Sequence, residues 1–171
     1  MKPDEVLARR VAREIDLEIE SIGRLQSELE SAPGGDDTFA LRARGSILHD
    51  FYTGVERVFV RLAEEINGGV PRGDQWHRQL VQDMSIAIPD VRPAVISPEL
   101  AEKLGEFLRF RHVFRNVYGF VLRADRLESL QQQMPDVLER FVNEMRTFLA
   151  WLTGGERTDE PDSDRTGRAR R

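Results

Sequence analysis

The segment FLRFRHVFRNVYGFVLR, Phe107 to Arg123, decides how this chain reads. On a helix, at about 100° per residue, Phe107, Phe110, Val113, Phe114, Val117, Phe120 and Val121 gather on one half. The other half holds Arg109, Arg111, His112, Arg115, Asn116 and Tyr118, with Gly105 and Gly119 among them. No acid interrupts the segment, although the whole chain carries a formal charge of -5. An ordinary solvated helix face mixes Glu with Lys. A face of Arg, His, Asn and Tyr with small gaps suits an anion such as a phosphodiester better than bulk water.

Nearly every other segment also reads helical. From Asp4 to Ser31, Val11, Ile15, Ile19, Ile22, Leu25 and Leu29 recur at steps of three and four residues. Pro33-Gly34-Gly35 ends that helix, and Asp36 or Asp37 can cap the next. The second runs from about Thr38 to Asn67, with Ile47, Phe51, Val55, Val58, Leu62 and Ile66 on its buried stripe. Gly68-Gly69-Val70-Pro71 breaks it. A shorter helix spans about Asp74 to Met84, and Pro89 to Ser97 reads as an extended connection. Ser97-Pro98-Glu99 supplies a cap, a proline at the first helical position and an early acid. The helix it opens is expected to end near Arg123, with Asp125 capping a short turn. A last helix is predicted from Pro135 to Leu152, with Val137, Phe141, Met145, Phe148 and Leu149 inward and Gly154 as its stop.

The pattern predicts an all-α antiparallel bundle of about five helices. Residues 1–153 form one helical domain, and 154–171 are expected to be a disordered tail, because they lack apolar residues to bury. With 171 residues, 40% of them hydrophobic and 32% charged, the chain has the balance of a soluble globular domain. No apolar run approaches the ~18 residues of a membrane span, and the first ten residues lack a secretory signal's apolar stretch, so a cytoplasmic location is expected. The absence of Cys excludes disulfides, thiolate metal sites and a cysteine nucleophile. No cofactor and no metal are expected. His49 and His77 read as lone helical histidines. Trp76, Phe51 and Phe59 read as core. Glu56, one turn after Tyr52, reads most simply as exposed, although a carboxylate there can orient an Arg of the Phe107–Arg123 segment.

RHVFRNVY, residues 111–118, resembles a variant of the R-x4-H-x-Y motif of HepT-like toxins, members of the all-helical HEPN ribonuclease superfamily. Arg111 stands at the motif Arg and Tyr118 at the motif Tyr. Asn116 stands where the motif has its catalytic His, and His112 takes the polar position after the Arg. The resemblance extends through Tyr52–Leu80 and the run from Met134. It implies a toxin of a toxin–antitoxin pair that cleaves RNA without metal, the ribose 2′-hydroxyl attacking the adjacent phosphate. The catalytic set it implies is Arg111, His112, Asn116 and Tyr118, with Arg109 and Arg115 binding phosphate. It further implies a homodimer and an MntA-like nucleotidyltransferase antitoxin that adds AMP to Tyr118.

Such chemistry needs a proton acceptor and a cation for the pentavalent phosphate. Arg fits the second role, since its guanidinium stays charged and binds phosphate bidentately. An amide cannot titrate, so Asn116 leaves two readings. Either His112 takes the acid–base role, or the site is a catalytically degenerate module that binds RNA, nucleotide or a nucleotidyltransferase partner. A third possibility is that the Arg face only lines a polar dimer interface.

Overall fold

The computed structural model describes residues 4–116, 118 and 122–154. Among them are five α-helices: α1 (Glu5–Glu30), α2 (Thr38–Ile66), α3 (Trp76–Met84), α4 (Pro98–Asn116) and α5 (Ala124–Leu152). The described residues contain no strand, only an isolated bridge between Ile88 and Arg92. The chain is therefore an all-α helical bundle. None of the described helices is long and apolar enough to cross a membrane.

Caps set the first two starts. Asp4 accepts from the Val6 N–H, and Asp37 accepts from those of Phe39 and Ala40, at 2.9 and 3.1 Å. α1 and α2 form an antiparallel hairpin whose register is written in its side chains. Arg10 pairs with Glu65, Glu14 with Arg61 and Glu18 with Arg57. Farther along, Gly54 lies against Ile22, where a Cβ would come within 2.6 Å of Ile22 Cγ1. The ion pairs are too exposed to add much energy. The glycine is what permits the close approach.

α2 is the central helix and packs against the other four. Its buried residues Leu48, Phe51, Tyr52, Val55, Val58, Phe59 and Leu62 meet Val11, Ile15 and Ile22 of α1, and Met134, Val137 and Phe141 of α5, in one core. Phe51 and Phe59 are buried as expected, whereas Trp76 is only partly so.

The start predicted at Ser97 is present. Ser97 Oγ accepts from the Leu100 N–H, and Glu144 of α5 takes both the N–H and the O–H of Ser97, at 2.6 and 2.7 Å. The connection before it is organised by Arg92, which is 4% exposed. Its guanidinium donates to the carbonyls of Asp83, Ile86 and Pro93 and to Asn67 Oδ1. Burial pulls this guanidinium below its ordinary pKa, with Asp83 opposing.

Two predicted boundaries are wrong. α4 does not continue to Arg123 but stops at Asn116. There the Asn116 amide donates to the His112 carbonyl at 2.6 Å, a local bond that competes with continued helix. Tyr118 is therefore beyond the helix and not in line with Arg111. The rest of the expected helix, residue 117 and residues 119–121, lies outside the described residues, as does 155–171 of the predicted tail. Nor does the last helix begin at Pro135. α5 runs unbroken from Ala124, with Pro135 inside it and Asp125 in its first turn rather than at a separate cap. A helical proline costs ~3 kcal/mol. Leu127, Leu130 and Met134 are buried ahead of it, and at ~1.5–3 kcal/mol each they outweigh that cost.

Candidate functional site

The helical stripe Leu100, Leu104 and Phe107 is fully buried in α4, and its next member is Arg111. Two contacts fix this stretch against α2. Phe107 meets Phe51 edge-on, with ring centroids 5.1 Å apart. Phe114 lies over Gly45, where a Cβ would come within 2.7 Å of the ring. Arg111 sits between them and is carried inward, its side chain only 11% exposed. The expected polar half of the helix is thus rotated. Arg111 points into the bundle, while Val113, assigned to the apolar half, is exposed.

A carboxylate receives it. Glu56 lies on the core stripe of α2 between Tyr52 and Phe59, and is 7% exposed. The expectation of a solvent-exposed Glu56 is overturned, while its proximity to a motif Arg is found. Glu56 Oε1 is 3.1 Å from Arg111 Nη2. Its other oxygen, Oε2, accepts from His77 Nδ1 at 2.6 Å. His77 also stacks on Trp76, with ring centroids 3.6 Å apart. It is therefore not the lone helical histidine its sequence position suggests. Two cationic or potentially cationic groups share one buried carboxylate, which is how such a charge is tolerated in a core.

Tyr52 completes the cluster. Its hydroxyl is buried and has no hydrogen-bond partner among the described residues. Burial, and then the Glu56 carboxylate, push its pKa above the ordinary phenol value, with Arg111 acting the other way. The phenol stays protonated. Arg111 Nε is likewise buried without a partner.

The remaining predicted site residues lie elsewhere. His112, Arg115 and Asn116 are exposed at the C-terminal end of α4, and Tyr118 is 72% exposed just past it. Arg109 faces another way, into a cleft of about 450 Å³ between α4 and the start of α5, lined also by Phe110, Leu122, Arg123 and Arg126. Arg109, Arg111 and the outer group of His112, Arg115, Asn116 and Tyr118 thus occupy three separate places. His49, the third histidine, bonds the neighbouring Asp50 at 3.1 Å and lies 5.5 Å from the Phe114 ring. Among the described residues no group of three His, Cys, Asp or Glu side chains is placed to hold a metal.

Sequence reasoning missed His77, and it underrated Glu56. A signal existed for Glu56 and Arg111, because each is a charge at a core-stripe position of its helix. None existed for pairing His77 with them, since α3 meets α2 only through the tertiary fold.

No curated protein and no solved structure matches the chain. Residues 43–152 match a family model described as HepT-like protein, and Glu56, His77, Arg111 and Asn116 all fall within the match. The chain belongs to the HepT-like protein family.

Proposed function

We propose that this chain is the ribonuclease toxin of a toxin–antitoxin pair, a metal-independent RNA endonuclease acting in the cytoplasm as a homodimer. The observation that carries the reading is the seating of Arg111. The motif guanidinium is held by Glu56 in a fixed orientation, 3.1 Å away. A preorganised cation is what a pentavalent phosphate requires. An edge of Arg111 reaches solvent, and the exposed Arg115, one turn farther along α4, offers a further phosphate contact beside it. Val113 and Tyr118 leave apolar and aromatic surface exposed at the same end of α4. A dyad through that end sets two motif helices side by side and encloses the RNA. The partner in this reading is an MntA-like nucleotidyltransferase that silences the toxin by adding AMP to Tyr118, whose exposure suits modification.

One observation favours a second reading, a degenerate module that binds RNA or a partner without cutting. Asn116 replaces the family's His, and its amide is engaged with the His112 carbonyl.

The test is a cleavage assay on total RNA with purified protein and no divalent metal. The wild type cleaves, and Arg111→Ala loses about 10²–10³-fold. A wild type that is inert while Asn116→His cleaves replaces the toxin reading with the binding module.

A further inference from the structure

Resting on the ribonuclease reading, we infer that His77, brought from α3 and held by Glu56, is the acid–base group of this site. The two ends of one carboxylate hold the two groups that RNA cleavage requires. Glu56 Oε1 orients the Arg111 guanidinium, and Oε2 accepts from His77 Nδ1. A ring that donates from Nδ1 to a carboxylate carries its lone pair on Nε2, the tautomer of a general base. Stacking on Trp76 fixes the ring plane. The side chain is 27% exposed, so a substrate can reach it. Among the described residues His112 has no such support. It is exposed on α4, one residue round the helix from Arg111, so the two side chains diverge by about 100°. Asn116 does not titrate. Among the described residues, the imidazole gathered to the motif Arg is that of His77.

Nε2 of His77 takes the proton of a ribose 2′-hydroxyl, the O2′–P bond forms and the P–O5′ bond breaks. Arg111 faces the charge gathering on the phosphate oxygens. The departing 5′-oxygen takes a proton from water, and the imidazolium neutralises the hydroxide left behind. The products are a 2′,3′-cyclic phosphate and a 5′-hydroxyl end. His77 touches the reacting atoms and is catalytic, while Glu56 acts through it and through Arg111 and is a positioning residue.

The test compares full-length wild type with His77→Gln, His77→Ala, His112→Gln and His49→Gln on total RNA without divalent metal. His77→Gln should lose 10²-fold or more in kcat with KM little changed. His49→Gln should match the wild type. Added imidazole should restore part of the activity of His77→Ala, which a purely structural role would not permit. Full activity in His77→Gln, with the loss falling on His112→Gln instead, overturns the role of His77 and leaves the ribonuclease reading standing. A wild type that does not cleave overturns both. A second measurement needs no variant. A non-cleavable 2′-deoxy oligonucleotide added to wild type should shift the His77 Cε1–H proton resonance and leave that of His49 in place. An unmoved His77 resonance overturns the proposal even if the variants fail to fold.

Discussion

The inner and outer sides of α4 carry neighbouring residues of one motif and treat them in opposite ways. On the inner side Arg111 is locked to Glu56, which also holds His77, above a Tyr52 that keeps its proton. On the outer side His112 and Asn116 are exposed, and the Asn116 amide donates to the His112 carbonyl of its own helix. One residue step separates Arg111 from His112, yet it divides a preorganised charge cluster from an adaptable surface. Contiguity in a motif is therefore a poor guide to which side chains work together. Partners recruited from α2 and α3 define the cluster.

The difference has measurable consequences. The largest belongs to Glu56. Glu56→Ala strips the carboxylate from a buried guanidinium and from His77, and should cost about 3–5 kcal/mol in urea denaturation. A loss below 1 kcal/mol means that the inner side is wetter than its burial indicates.

Tyr52→Phe should have a smaller effect of the opposite sign. It removes a buried hydroxyl with no partner among the described residues, so stability should hold or rise by up to about 1 kcal/mol at neutral pH. The pH dependence has a definite sign. The folded phenol is raised above its ordinary value, so its contribution is complete below pH ~10 and declines above it, where only the unfolded chain ionises. Wild type should lose stability above that pH more steeply than Tyr52→Phe. Identical alkaline profiles would show that the hydroxyl is not buried beside Glu56.

The outer side should respond least. His112→Ala and Asn116→Ala should each shift thermal stability by no more than about 0.5 kcal/mol. A larger effect from Asn116→Ala would show that its bond to the His112 carbonyl anchors the end of α4.

Much of this architecture was legible in local chemistry. The three- and four-residue spacing of Val11, Ile15, Ile22 and Leu29, the caps at Asp37 and Ser97 and the break at Gly34-Gly35 are short-range signals, and each is found in the fold. The end of α4 and the start of α5 were not legible, because the Asn116 side chain bonds the His112 carbonyl and burial of Leu127, Leu130 and Met134 overrides the local preference of Pro135. The site was legible in part. RHVFRNVY points to the family, and the charges at Glu56 and Arg111 interrupt apolar stripes visibly. Treating α4 as an isolated helix put Arg111 on the solvent side, since a wheel does not show that α2 offers a carboxylate. His77 joins through a contact spanning 21 positions of sequence, which no local pattern encodes.

The most direct test separates the cluster's structural role from its use on RNA. The double substitution Glu56→Leu/Arg111→Leu replaces a buried ion pair with apolar side chains, an exchange that is often neutral or stabilising. Its melting temperature should stay within a few degrees of wild type, while metal-free RNA cleavage falls by 10²-fold or more. A folded double variant that still cleaves RNA at close to the wild-type rate would contradict the account, because the anchored guanidinium would then serve the fold alone.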